Sequence, residues 1–113
     1  MKYRYSDYSI EQLRDELGKL KEKALEAERL GKLSQVAINE RKIQIVKSYM
    51  LNPADYTPNE IYELNGDPGH TFKIKYINGI MAWGQRINLL GETYEKVEAV
   101  PISLLGDRVI TKS

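Results

Sequence analysis

The chain contains no cysteine and only one histidine. Without cysteine it has no disulfide, no thiol nucleophile and no cysteine-ligated zinc site. The single histidine, His70, would need three carboxylates around it to hold a metal ion, so the sequence predicts neither a metal site nor a cofactor. Cysteine-free chains suit a reducing compartment, and we therefore expect a cytoplasmic protein.

Long apolar runs are also missing. No segment approaches the ~20 consecutive apolar residues that cross a bilayer as a helix. The first residues, Met1 to Asp7, carry no apolar signal-peptide core either. The sequence therefore predicts neither a membrane span nor a membrane partner.

Catalytic motifs are absent as well. The sequence has no P-loop, no glycine pattern of a dinucleotide-binding turn, no nucleophile elbow and no His-Glu metal signature. Its carboxylates are scattered, and no two of them can be placed as a general acid and base. His70 follows a turn sequence, Asp67-Pro68-Gly69, and is expected to be a solvated loop residue. We therefore predict no catalytic residue and a protein that is not an enzyme.

The chain also lacks an excess of positive or negative charge, because its net charge is only +1. Residues 1–52 carry +3 and residues 53–113 carry −2. Proteins that grip nucleic acid through phosphate contacts usually have a clear basic excess, so we expect any DNA or RNA binding to be weak. The candidate nucleic-acid contacts are Lys2, Arg4, Arg41 and Lys47.

Residues 9–30 have the apolar spacing of an amphipathic helix. Ser9 and Gln12 have the spacing of a capping box, in which each side chain bonds the other residue's backbone N–H. Gly31 is placed to end the helix, since glycine readily adopts the left-handed conformation found after a helix end. The apolar stripe consists of Ile10, Leu13, Leu17, Leu20, Ala24 and Ala27.

A second helix is predicted from Ser34, as its N-cap, to Leu51, where Pro53 enforces the end. The connection to the first helix is short, so the two helices are expected to form an antiparallel hairpin. The apolar residues of the second helix cover about half of its circumference. One neighbouring helix cannot cover so wide a surface, and we expect the rest to contact the C-terminal region or a second copy in a homodimer.

After the helices the apolar period changes from helical to alternating, which predicts short strands. The expected strands cover residues 60–64, 70–77, 80–87, 97–102 and 108–111. Five short strands with tight turns favour a small barrel. The predicted fold is α+β, with a helical hairpin over 1–52 packed on a five-stranded barrel over 53–113. We expect the two parts to unfold as one cooperative unit.

Trp83 is the only tryptophan of the chain. Asn78-Gly79 predicts a two-residue hairpin turn, which pairs Ile74 with Trp83. On this register Trp83 shares a face with Phe72 and is expected in the barrel core. The opposite face, which includes Ala82 and Gly84, is then expected to receive the helical hairpin.

An alternative interpretation places Trp83 at the rim of an aromatic groove, of the kind that SH3-like domains use to bind extended peptides. The candidate groove residues are Tyr56, Tyr62, Trp83 and Tyr94.

Several segments resemble the YfhH family, small proteins of Bacillus-type bacteria. The clearest are the stretch from Tyr76 to Gly84, which contains Asn-Gly and Trp-Gly, and Val100-Pro-Ile-Ser-Leu104. Asn52-Pro53 and the following Asp-Tyr and Glu-Ile-Tyr segments also match. The resemblance implies a helical N-terminal part and an SH3-like barrel. It implies no functional residues, and the label of transcriptional regulator sometimes given to the family is an association rather than a mechanism.

Two functions from different classes follow from these observations. The first is a non-enzymatic regulatory or adaptor protein that binds a protein partner through its barrel and hairpin surfaces. The alternative is a transcriptional regulator with weak affinity for DNA or RNA. A contiguous basic patch would favour the second, and nothing in the sequence requires one.

Overall fold

A computed structural model of the chain describes residues 4–110. It confirms the α+β class, with two α-helices followed by a five-stranded antiparallel sheet. The chain divides into two compact units between Leu51 and Asn52. Lys2, one of the candidate nucleic-acid contacts, lies outside the described residues.

The first helix, α1, spans Ile10–Arg29 and begins as its sequence predicts. The Ser9 hydroxyl accepts from the Gln12 backbone N–H at 3.1 Å, and the Gln12 side chain accepts from the Ser9 N–H at 2.8 Å. Gly31 has a φ of +70° after the helix end. Both ends of α1 are therefore fixed by local chemistry.

The second helix, α2, spans Leu33–Tyr49, and its N-cap is Lys32. The predicted cap at Ser34 was wrong, because the chain re-enters helical geometry as soon as it leaves Gly31. The hairpin core joins Leu13 and Leu20 of α1 to Ile43 and Val46 of α2. The short connection and this contact pattern make the two helices antiparallel, as predicted.

The sheet contains β1 (Ile61–Leu64), β2 (His70–Asn78), β3 (Met81–Asn88), β4 (Glu98–Pro101) and β5 (Leu105–Arg108). The strand order is β4-β3-β2-β1-β5, and all four pairings are antiparallel. A single 3₁₀ turn, Ile102–Leu104, separates β4 from β5, so β5 begins at Leu105 rather than at the predicted residue 108. β4 and β5 are the two edge strands of this order. Within residues 4–110 the hydrogen-bonded sheet is therefore open rather than closed into a barrel.

The β2–β3 hairpin has a different register from the predicted one. Asn78 pairs with Met81, so the two loop residues are Gly79 and Ile80 rather than Asn78 and Gly79. Gly79 has a φ of +60°, while Ile80 does not adopt a positive φ. This is the pattern of a turn that requires glycine only at its first loop position.

A β-bulge at Lys75 shifts the register again further along the hairpin. Ile74 pairs with Gly84, whereas Tyr76 pairs with Trp83. In a regular strand Tyr76 and Ile74 would lie on the same face. The extra residue of the bulge places Tyr76 on the opposite face. The predicted pairing of Ile74 with Trp83 was therefore wrong.

The core of the sheet lies on one face only. Its fully buried residues include Phe72, Ile74 and Ala82, and Ile77 packs against them. The face expected to receive the helical hairpin, with Ala82 and Gly84, is therefore the core face of the sheet. Trp83 lies between these two buried residues in β3, so its side chain leaves the strand on the opposite face.

Candidate functional site

The outward face of the β2–β3 hairpin carries a stacked aromatic pair. The rings of Tyr76 and Trp83 are nearly parallel, with 11° between their planes and 5.9 Å between their centroids. Tyr76 is 46% exposed and Trp83 is half-buried. The prediction that Trp83 belongs to the core was therefore wrong, and the pair forms an apolar area on the solvent side of the sheet.

Gly84, next to Trp83 in β3, lies at a point where the two strands approach closely. A Cβ atom at Gly84 would collide with the Lys73 backbone carbonyl and would lie 3.0 Å from a ring carbon of Phe72. The close approach of β3 to β2 at this point accompanies the bulge at Lys75. The bulge in turn places Tyr76 beside Trp83. A glycine on the core face thus lies next to the bulge that places the aromatic pair on the outer face.

Basic side chains lie beside the aromatic pair. Lys73 is exposed and pairs with Gln85, which shares its face with Trp83. Lys75, in the bulge, is also exposed. No ion pair within residues 4–110 involves either lysine. The outer face therefore combines two aromatic rings with two uncompensated positive charges, a surface we call the aromatic–lysine face (Lys73, Lys75, Tyr76 and Trp83).

The structure distributes the candidate groove residues over three places. Tyr56 and Tyr62 pack together with their centroids 5.7 Å apart, and both contact the sheet core. Tyr62 is only 5% exposed, and its hydroxyl accepts from the Thr57 N–H at 2.9 Å. Burial, followed by the nearby Asp55 charge, raises the pKa of Tyr56. Among residues 4–110 no ring contact joins Trp83 to this pair.

Tyr94, the fourth candidate, belongs to a cluster of polar side chains near the start of β2. Its hydroxyl lies 2.8 Å from Nε2 of His70, and the two rings meet edge to face at 5.3 Å. Nδ1 of His70 lies 3.0 Å from each carboxylate oxygen of Asp67. His70 is the first residue of β2, and its side chain is 27% exposed. The expectation of a solvated loop histidine was therefore wrong.

Arg86 extends this cluster to the next strands. Its Nε donates to Glu98 at 3.0 Å, and its Nη1 donates to the Asp67 carboxylate. The hydrogen bond from His70, reinforced by the charges of His70 and Arg86, holds the pKa of Asp67 below its usual value despite partial desolvation. We call Asp67, His70, Arg86, Tyr94 and Glu98 the polar cluster.

The polar cluster ties the turn after β1 to β3, β4 and the loop that contains Tyr94. Sequence reasoning did not find it, because its members are spread from Asp67 to Glu98. The only local signal is the three-residue spacing of Asp67 and His70 across a turn. The cross-strand neighbours of Arg86 depend on the register of two strand pairs. Within the cluster every carboxylate has a charged or hydrogen-bonded partner.

The candidate nucleic-acid contacts that the structure describes do not form one group. Arg4 is exposed ahead of the 3₁₀ turn Tyr5–Asp7, Arg41 is exposed on α2, and Lys47 is half-buried in the last turn of α2.

The N-terminal arm packs on its own hairpin. The ring of Tyr5 contacts Tyr8 and Tyr49, and its hydroxyl donates to Glu16 at 3.2 Å. Burial, with the Glu16 charge, raises the pKa of Tyr5.

Within residues 4–110 no three histidine, aspartate or glutamate side chains are placed so that they could hold a metal ion together. The same part of the chain has no helix that is long and apolar enough to cross a bilayer.

These features define a small α+β protein in which a helical hairpin precedes a five-stranded antiparallel sheet with an aromatic outer face. The chain belongs to the family described as protein of unknown function (DUF1811), whose model matches residues 3–106. It is 40% identical over 108 residues to the uncharacterized protein YfhH of Bacillus subtilis (strain 168), covering 96% of this chain and 99% of the relative. The resemblance seen in the sequence is therefore confirmed.

Proposed function

We propose that this protein is a non-enzymatic cytoplasmic regulator or adaptor that binds an extended, acidic segment of a protein partner on its aromatic–lysine face. The observation that carries the proposal is the stacked Tyr76–Trp83 pair on the outward side of the sheet. Tyrosine and tryptophan are enriched among the residues that dominate the energy of protein interfaces. A rigid stacked pair also loses little side-chain entropy when a partner covers it.

The fold context supports peptide binding. We infer an SH3-like arrangement from the meander of four strands, the 3₁₀ turn Ile102–Leu104 and the return of β5 to β1. All five strands contribute to or adjoin a core on a single face, as in a strongly curved sheet. The bulge at Lys75 adds local twist to β2, which favours such curvature. Domains of this class bind extended peptides against aromatic side chains.

The acidic character of the partner follows from Lys73 and Lys75. Both are exposed, and neither has a carboxylate partner within the described part of the chain. Carboxylates of a bound segment would meet these ammonium groups while its apolar side chains cover Tyr76 and Trp83. Complementary charge of this kind favours the right partner and speeds its association.

A random-peptide display library tests the proposal, with the full chain as bait. The matched comparison is the Tyr76→Ser/Lys73→Gln variant, which alters the exposed part of the face and leaves the sheet core intact. Selection should enrich acidic peptides that bind the wild-type chain and lose at least tenfold in affinity for the variant. Enrichment of neutral or basic peptides, equal binding to both proteins, or no enrichment would overturn it.

The alternative is a transcriptional regulator with weak affinity for DNA or RNA. It rests on Arg41 and Lys42, which are adjacent and exposed on α2. The candidate contacts Arg4, Arg41 and Lys47 do not form one group, although Arg41 and Lys47 lie on the same helix. We therefore keep protein binding as the leading function and treat nucleic-acid binding as the alternative that a gel-shift titration decides.

A further inference from the structure

The helical hairpin has a groove beside its tip that the proposed function does not use. The groove has a volume of about 420 Å³ and lies between the last turns of α1 and the first turns of α2. Its walls include Ala27 and Leu30 from the α1 side and Ile38 and Asn39 from α2. Leu30 is 53% exposed and Ile38 is 54% exposed, so the groove presents aliphatic surface to solvent.

Three lysines line the same groove: Lys23, Lys32 and Lys42. All three are exposed, and no ion pair within residues 4–110 involves any of them. The one acidic residue of the lining, Glu26, is bonded through both carboxylate oxygens to Arg29. The groove therefore carries a positive charge that its own carboxylate does not neutralise.

A buried amide adds a polar group to the lining. Asn39 is only 7% exposed, and its amide nitrogen donates to the Gln35 carbonyl at 2.9 Å. That bond uses one of the two hydrogens of the amide. A ligand in the groove would meet cationic, aliphatic and amide groups within the space of about two helical turns.

We propose that this groove binds the phosphate headgroup of an anionic phospholipid and so holds the hairpin tip against a membrane surface. Lysine ammonium groups attract phosphate, while Leu30 and Ile38 can enter the boundary between headgroups and acyl chains. Leu33, at the start of α2, is 78% exposed and extends the aliphatic surface beyond the groove to the tip. These aliphatic side chains would not contribute to the binding of a nucleic acid, whose backbone is charged and polar.

This contact is peripheral and needs no membrane-spanning helix. The sequence predicted no membrane partner because it lacks an apolar run, and that reasoning concerns spanning segments alone. A groove of this kind assembles cations and aliphatic residues from two helices, which no single stretch of the sequence displays.

Flotation with phospholipid vesicles tests the proposal on the full chain. Vesicles of phosphatidylcholine alone are compared with vesicles that also contain phosphatidylglycerol, at low and at high salt. We expect binding only to the anionic vesicles and a marked loss at high salt. Each lysine removed should weaken binding about fivefold, so the Lys23→Gln/Lys32→Gln/Lys42→Gln variant should lose roughly a hundredfold.

The control variant, Arg14→Gln/Lys96→Gln/Arg108→Gln, removes the same charge from exposed positions that lie outside both the groove and the aromatic–lysine face. It should bind anionic vesicles as the wild type does. Far-ultraviolet circular dichroism checks that both variants keep their helices. Leu30→Ser/Ile38→Ser should weaken the binding that persists at intermediate salt.

Four results of the vesicle and DNA measurements would overturn the proposal. They are no binding to anionic vesicles, equal binding to neutral vesicles, equal losses in the two charge-removing variants, and tighter binding to duplex DNA than to the anionic vesicles. Inorganic phosphate added in excess should compete only weakly, because it lacks the apolar contacts. Complete displacement by phosphate alone would be a further contradiction, because it would indicate a free-anion site.

Discussion

Gly84 in β3 lies directly against the backbone carbonyl of Lys73 in β2, and no side chain can replace its hydrogen without moving one of the two strands. This contact lies next to the bulge at Lys75, and the bulge decides which face of the sheet Tyr76 occupies. A steric requirement of the core thus lies beside the bulge that forms the surface that we propose for partner binding.

The first prediction is that Gly84→Ala destabilises the sheet by about 3 kcal/mol, because the added methyl must displace backbone rather than a flexible side chain. Gly18 of α1 provides the matched control, since a Cβ there meets nothing within 4 Å. Gly18→Ala should stabilise the protein by about 0.5–1 kcal/mol through helix propensity. Denaturant unfolding of both variants measures the difference, and similar midpoints would show that the close contact is not formed.

The second prediction separates Trp83 from the core. Trp83→Ala should cost about 1–2 kcal/mol, because the half-buried ring loses its stacking on Tyr76 and little core packing. Phe72→Ala, at a fully buried position, should cost about 3–5 kcal/mol. Chemical denaturation followed by circular dichroism compares the two. An equal loss of unfolding free energy in the two variants would show that Trp83 belongs to the core.

The third prediction concerns acid stability. The pKa of Asp67 is lowered in the folded protein by the His70 hydrogen bond and by the charges of His70 and Arg86. A carboxylate with a lowered pKa stabilises the fold at pH values above its unfolded pKa. That contribution is lost as the pH falls through the lowered folded value. The gap in unfolding midpoint between wild type and Asp67→Asn should therefore be fully present at pH values above the unfolded pKa of the carboxyl and shrink as the pH falls through the lowered folded value.

The control for this experiment is Glu95→Gln, which removes one negative charge from an exposed loop position. It accounts for the change in net charge alone. A gap for Asp67→Asn that stays constant, or widens, as the pH falls would contradict the proposed pairing of Asp67 with His70 and Arg86.

The fourth prediction is that DNA affinity is weak and strongly salt-dependent. The net charge is near zero, and Arg4, Arg41 and Lys47 lie at separate places in the hairpin unit. A gel-shift titration with duplex DNA should show binding only at low salt and without sequence preference. Nanomolar, sequence-selective binding at physiological salt would favour the transcriptional regulator instead.

The helices could be predicted from the sequence because their ends depend on neighbouring residues. The capping box of Ser9 and Gln12 and the positive φ of Gly31 need only contacts within a few positions along the chain. The prediction of Ser34 as the N-cap was wrong, because several residues after Gly31 are compatible with the start of a helix and α2 begins at Leu33. The existence of the strands was also predictable. The start of β5 was not, because β5 begins at Leu105, immediately after the 3₁₀ turn.

The candidate site was predictable only in part. Trp83 and its hairpin were identified, but its partner is Tyr76 rather than the other candidate tyrosines. Asn78-Gly79 indicates a hairpin without determining which two residues form its loop. A register error of this kind changes the face to which a side chain is assigned.

The sequence by itself therefore determined the α+β class, the helical hairpin, the number of strands and the membership of the family. Each of these depends on residue periodicity, local caps or similarity along the chain. Only the tertiary structure decided that Trp83 faces outward on Tyr76, that His70 joins Asp67 to Tyr94, and that three lysines surround one groove. These relationships depend on strand register and on the pairing of two helices, which bring together residues that are distant in the chain.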